Sequence, residues 1–260
     1  MKKQNRHVKM NLIQGKFKFY MLGGILALGI LMTSFTALVI AESDNNDVDT
    51  ITVRPDKLRG WSTADTRPGG AVNFIGDSTT PAGKGALQLT TTAQTTAKAQ
   101  FMHASTTPIA QVSKLSYYTK QGSAPFPGAD ASYQLPAFLN GATGFTTFVF
   151  EPYENGTVVN NIWQHWNVTT GHFWSSKSVT CSHGAVVAGH GGAPFYTLSD
   201  IKTICPEAVV IGFGVNIGSN NPGYNVEADL VTFNNTTYNF EPAHKAQDSD
   251  KEQVYHSHED

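Results

Sequence analysis

The sequence predicts an all-β sandwich, and three observations carry that expectation. From 51 to 242 the chain is rich in Thr, Val, Phe, Tyr and Gly. Its apolar residues fall in short alternating runs with little helical periodicity, and clusters of Gly, Pro and Asn separate the runs. The span is long enough to bury one sizeable core, and no internal repeat divides it.

Ahead of this domain the composition is different. Residues 1–41 hold six Lys or Arg and no Asp or Glu, and the apolar run "FYMLGGILALGILMTSFTALVIA" ends at Ala41. A basic flank, a hydrophobic helix and small residues Val39 and Ala41 are the layout of a secretory signal cut before Glu42. The run is also long enough to span a bilayer, so an uncleaved N-terminal anchor with its basic side cytoplasmic is the alternative. Both place the domain outside the cytoplasm, secreted or membrane-anchored, with the N-terminal segment as the only membrane contact. Without that segment 12 basic residues stand against 20 acidic ones, a balance of −8. So acidic a chain lacks the electrostatic footprint of a nucleic-acid binder.

The remaining boundaries follow from polarity. Residues 42–50 ("ESDNNDVDT") read as an acidic linker, and 243–260 as a disordered tail with little to bury. Within 51–242 the predicted strands are 71–76, 85–91, 97–103, 114–120, 132–139, 145–153, 161–166, 172–176, 208–217 and 226–234. One short helix is predicted at 197–204, where Thr197 and Asp200 have capping-box spacing and Pro206 stops the run. The two cysteines, Cys181 and Cys205, are expected to pair in an oxidising compartment, closing a loop that contributes about 3 kcal/mol. In 209–217, Val209, Ile211, Phe213, Val215 and Ile217 alternate toward the core. Val210, Gly212, Gly214 and Asn216 form the other face, where the glycines mark the close approach of a neighbouring aromatic or of a ligand.

No catalytic or cofactor motif is present: no GxSxG, HExxH, GxxxxGK[ST], or GxGxxG following a strand. Two carboxylate pairs remain. Glu151 and Glu154 lie in "FEPYENG". Glu227 and Asp229, two apart in "VEADL", share a strand face that suits a structural Ca²⁺ or is simply the solvated side of a terminal strand. His183 and His190 flank a glycine-rich loop with no neighbouring carboxylate and read as solvent-exposed.

The densest aromatic stretch is 161–176, "NIWQHWNVTTGHFWSS". Treated as a hairpin with "NVTTG" as its loop, it places Gln164, Trp166, His172 and Trp174 on one face. The other face then carries Trp163, His165 and Phe173. A sandwich strand has one core face, so one ring pair is buried and the other is covered or serves as a binding surface. The face of Gln164, Trp166, His172 and Trp174 has more polar groups and is the expected ligand face, with Trp163 and Phe173 as core.

"WQHWNV…FWSS" and the closing strand "ADLVTFN" resemble the jelly-roll β-sandwiches of extracellular carbohydrate-binding modules and galactose-binding-like domains. The chain over 58–241 is also similar to a group of uncharacterised secreted bacterial proteins. The stretches that carry this likeness are "GWSTADTRPGG", "GALQLTT", "LSYYTK", "SYQLP", "FVFEPYENG", "NPGY" and "YNFEP". The first resemblance implies a jelly-roll-type sandwich and a glycan or cell-surface polymer as partner; the second brings no activity. The leading expectation is a non-catalytic extracellular binding module needing no cofactor. A secreted carbohydrate-active hydrolase or lyase using Glu151 or the Glu227/Asp229 pair, and a structural surface protein, are its rivals.

Overall fold

The computed structural model describes residues 48–126 and 128–243. The signal or anchor segment, most of the acidic linker and nearly all of the tail lie outside the described residues. Among these, no helix is long and apolar enough to cross a membrane. The strands are β1 (Asp49–Val53), β2 (Trp61–Ser62), β3 (Gly70–Gly76), β4 (Gly85–Thr91), β5 (Ala99–Pro108), β6 (Leu115–Ser123), β7 (Ser132–Asn140) and β8 (Thr143–Phe150). Then follow β9 (Gln164–Asn167), β10 (Trp174–Ser175), β11 (Val179–Cys181), β12 (Gly184–Val186), β13 (Val209–Ile217), β14 (Asn225–Phe233) and β15 (Thr236–Phe240). Two helices, α1 (Pro152–Asn155) and α2 (Leu198–Ile204), interrupt them. Asp49 and Thr50, at the end of the acidic linker, open β1.

Two sheets make the sandwich. One runs β1-β15-β14-β4-β3, with β6 also on β14 and β9 beyond β6; the other runs β10-β8-β7-β13-β5-β2. The chain changes sheet between β1 and β2, β2 and β3, β4 and β5, β5 and β6, β6 and β7, β8 and β9, β9 and β10, and β13 and β14, crossing repeatedly as the expected jelly roll does. Rings fill the space between them. Phe101, Phe148, Phe150, Phe173 and Phe240 are buried, each gaining about 2–3 kcal/mol relative to exposure. Trp61 stacks on Phe101 at 5.1 Å and meets Phe240 edge-on at 5.1 Å. The buried tyrosines keep their hydroxyls satisfied, Tyr117 donating to Ala131 O at 2.7 Å and Tyr133 to Thr232 O at 2.9 Å.

The capping box of α2 is formed: Asp200 N donates to Thr197 Oγ1 (3.1 Å) and Thr197 N to Asp200 Oδ2 (2.8 Å). Cys181 and Cys205 are bonded, with Cα atoms 5.1 Å apart. In β13 the alternation breaks, because the pairing slips between Val210 and Gly212. Val210 therefore joins Phe213, Val215 and Ile217 in the core, and Ile211 is half-buried on a surface cleft. The glycines of β13 are explained by backbone: a Cβ on Gly214 would lie 2.2 Å from Phe101 O, and one on Gly212 3.0 Å from His103 O.

The hairpin expected at 161–176 does not exist. Its first half, β9, pairs with β6 in one sheet, while its second half, β10, pairs with β8 in the other. At β9 and the residue before it, Trp163, the expected faces are exchanged. Trp166 is 7% exposed and belongs to the core, whereas Trp163 is half-buried on the outside. The reason is polar as well as steric: the Trp166 indole N–H reaches an internal acceptor, Thr119 Oγ1, at 2.8 Å. Trp163 instead lies over the Lys120 ammonium (5.4 Å) and donates to Asp77 Oδ2 (3.3 Å).

Candidate functional site

The outward face of the six-stranded sheet is organised by register. Trp174 lies opposite Val149, Val149 opposite Gln134, Gln134 opposite Gly214, Gly214 opposite Met102, and Met102 opposite Ser62. These residues form one row across all six strands. Gly214 and Val149 are buried in this row, and Met102 packs against Gly214, its Sδ 2.8 Å from where a Cβ would stand.

Loops raise walls at the Trp174 end. Pro152 starts α1 directly after β8 and places Tyr153 beside the sheet, where its hydroxyl donates to Gly191 O at 3.2 Å. The loop carrying Gly191 folds back onto Trp174: a Cβ on Gly189 would meet Trp174 Cβ at 3.0 Å and Gly192 O at 2.2 Å, so only glycine fits. Opposite, the Asn-Pro-Gly turn brings in Tyr224, with Gly223 at φ +76°. Trp174, Gln134, Asn216, Tyr153, Tyr224 and Glu151 line the resulting cleft of about 400 Å³. A neighbouring cleft of about 380 Å³ shares Gln134 and continues along the sheet past Pro136, Gly212 and Met102.

The polar groups of the floor hold one another. Asn216 Nδ2 donates to Gln100 Oε1 (3.0 Å), and Ser132 Oγ donates to Asn216 O (3.1 Å). The Trp174 N–H is buried and has no hydrogen-bond partner of ordinary geometry. Beside it, burial raises the Glu151 carboxyl to about 8; the Trp174 N–H favours the charged form, and Glu154 and Asp130 disfavour it. Asp130, accepting from Thr119 Oγ1 (2.5 Å) and Ala131 N (2.7 Å), is raised by burial to about 6. At neutral pH the Glu151 side chain is therefore a neutral donor and acceptor at the cleft. No Lys or Arg lines this cleft.

Of the four residues expected to form a ligand face, only Trp174 lies here. Gln164 is tied to the 157–159 loop, donating to Thr157 O (2.8 Å) and accepting from Val159 N (2.6 Å). Trp166 and His172 line a separate cleft of about 510 Å³ with Glu154 and His165. Thus Glu151 and Glu154 open onto different clefts. The sequence reading missed Gln134, Asp130, Tyr153 and Tyr224. It had placed Gly212, Gly214 and Asn216 on one face, and since Gly212 and Asn216 line the two clefts, this was the available signal for the site.

The carboxylates proposed for Ca²⁺ are otherwise engaged. Lys120 Nζ pairs with Glu227 Oε2 (2.9 Å) and with Asp77. Asp229 is buried where β14 exchanges β4 for β15 as neighbour. There Leu230 takes φ +48°, and Asp229 Oδ1 accepts the Phe240 N–H (2.9 Å). Burial raises the Asp229 carboxyl to about 7. Among the described residues no group of three or more His, Cys, Asp or Glu is arranged to hold a metal. Asp65 pairs with Lys98 and, at 3.7 Å, with Arg67.

No family model matches the chain, and no curated protein matches it in sequence. Among solved structures it is similar to the family 11 carbohydrate-binding module from Clostridium thermocellum in complex with a β-1,3-1,4-mixed-linked tetrasaccharide. That match has 12% identity, covers 71% of this chain and 92% of the module, and has a TM-score of 0.40. The CBM22-1 xylan-binding domain of Paenibacillus barcinonensis Xyn10C matches at 14% identity over 73% of this chain and 89% of that domain, with a TM-score of 0.34. An arabinose-bound α-L-arabinofuranosidase matches at 10% identity over 69% of this chain, with a TM-score of 0.37; the match spans 23% of the enzyme's length. Likenesses of this size carry no argument about what the cleft holds.

Proposed function

We propose that the domain is an extracellular glycan-binding module, and that its ligand lies along the outward face of the six-stranded sheet. The observation that carries this reading is the pair of clefts that meet at Gln134, one walled by Trp174, Tyr153 and Tyr224 and the other running past Met102 at the far end of the row. Strands about 4.8 Å apart make the row about 19 Å long, a length suited to a chain of sugars. Trp174, Tyr153 and Tyr224 offer flat apolar surface for sugar C–H faces, and Gln134, Asn216 and neutral Glu151 offer donors and acceptors for hydroxyls. No Lys or Arg lines the cleft at Trp174, and Lys98 in the neighbouring cleft is paired with Asp65, which favours a neutral ligand over an anionic one. The Cys181–Cys205 bond and the leader-like N-terminal composition support export.

Isothermal titration of the full chain against soluble mixed-linkage β-glucan, xylan, mannan and starch, with polygalacturonate as the anionic contrast, tests the reading. Saturable heat with at least one neutral polymer is the expected result. Binding to polygalacturonate alone contradicts it.

A second reading, hydrolysis of the bound glycan, is favoured by one observation: Asp130 and Glu151 are both raised and both line the cleft. A general acid needs a carboxyl still protonated near neutral pH, as Glu151 is. Reducing-end release from the polymer that binds, lost in Glu151→Gln with binding retained, identifies an enzyme. Binding without release identifies a module.

A further inference from the structure

A cleft of about 780 Å³ opens at the edge of the sandwich, between β1 and the loop leading to β2. Its charge differs from that of the rest of the molecule. Arg54, Lys57 and Arg59 line it, with Asp56 as the one carboxylate of the lining, a local excess of two positive charges in a chain whose formal net charge is −2. Arg54 and Lys57 face each other across the Pro55-Asp56 turn. Arg54 N donates to Lys57 O (3.2 Å), and Lys57 N donates to Arg54 O (2.9 Å). Like charges in directly opposed positions are destabilising unless something of opposite charge lies between them.

The third cation is held in place at some cost. Arg59 has φ +53°, uncommon for a residue with a Cβ. Its carbonyl meets His103 Nε2 at 3.1 Å, and the adjacent Gly60 packs so close that a Cβ there would lie 2.8 Å from the same nitrogen. Among the described residues Arg54, Lys57 and Arg59 take part in no ion pair, whereas Arg67, Lys98 and Lys120 all do. Arg54 Nε is buried without a hydrogen-bond partner, and a buried donor left unpaired is costly. Thr50 and Thr52 add hydroxyls to the same cleft.

We propose that this cleft is an oxyanion site that takes a sulfate or phosphate group, the dianion matching its two excess positive charges. An Arg side chain can bind such a group in a forked geometry, with Lys57 and Arg59 supplying point charge beside it. The site shares only His103 with the clefts of the proposed glycan groove and depends on no property of that groove.

The test is an amide chemical-shift titration of the full chain with inorganic phosphate and, separately, inorganic sulfate, each against sodium chloride at equal ionic strength. Saturable shifts confined to 54–60 and 103 are expected, with Lys57→Gln and Arg59→Gln each weakening the response about tenfold, the loss of one charge-assisted hydrogen bond. Lys177→Gln, exposed beside Phe145 and lining no part of this cleft, leaves it unchanged. Equal responses to both anions assign a general oxyanion site, and a phosphate-only response narrows it to phosphate. In anion-free buffer Lys57→Gln should also raise Tm, because it relieves the opposed charges; a purely structural Lys57 gives a fall. Shifts that follow ionic strength without saturating, or an equal loss in Lys177→Gln, overturn the proposal.

Discussion

The Trp166 indole N–H donates to Thr119 Oγ1 at 2.8 Å, and Thr119 passes its own proton toward Asp130 Oδ2 at 2.5 Å. This relay runs from β9 through β6 to a carboxyl that lines the groove on the opposite sheet. It makes Trp166 a core residue that also helps to hold the site in place.

Trp166→Ala should therefore destabilise the domain by about 3–5 kcal/mol, the usual cost of removing a buried tryptophan. Trp163→Ala removes a half-buried ring over Lys120 and should cost about 1 kcal/mol. Urea unfolding of the two variants checks this. Equal losses contradict the assignment of faces in β9.

Strand positions and the capped helix were legible in the sequence because alternation and cap chemistry are local. The destination of each strand was not. Residues 161–176 alternate as a hairpin would, yet β9 and β10 belong to different sheets, and local periodicity contains nothing that assigns a strand to a sheet. Gly171 is one point where tertiary packing intervenes: a Cβ there would lie 2.3 Å from the Phe150 ring. The groove was legible only in part for the same reason. Gly212, Gly214 and Asn216 could be placed on one face from spacing alone, but Gln134 and Trp174 join them only through strand register. The slip at Val210 likewise needed the neighbouring strands to reveal it.

Stability should fall as pH rises from about 5 to 8. Asp130, Asp229 and Glu151 are raised by burial to about 6, 7 and 8. In that window the folded chain holds more protons than the unfolded one, whose carboxyls ionise near 4. Their contribution is complete below the unfolded values and is lost as pH passes each folded value. Asp77, held low by Lys120 and Thr79, and Asp65, held low by Lys98, oppose this only at more acidic pH, and His165, lowered by burial, offsets part of it below its ordinary range. Thermal unfolding should give a higher Tm at pH 5 than at pH 8. Asp229→Asn, which keeps an acceptor for the Phe240 N–H, should reduce the slope and stabilise the protein at pH 8.

Reduction of Cys181–Cys205 should lower stability by about 3 kcal/mol without unfolding the sandwich, since the bond closes a local loop of 24-residue separation. Chemical unfolding with and without reductant measures the difference. Loss of the folded baseline on reduction contradicts it.

The account rests on Trp174 as the aromatic anchor of the groove. Titration of the Trp174→Ala chain with the neutral polysaccharide that binds the parent protein tests this most directly. Affinity should fall at least about tenfold, as for a central ring of an interface, while Tm shifts by no more than about 2 °C. Unchanged affinity in the folded variant contradicts the groove as the glycan site.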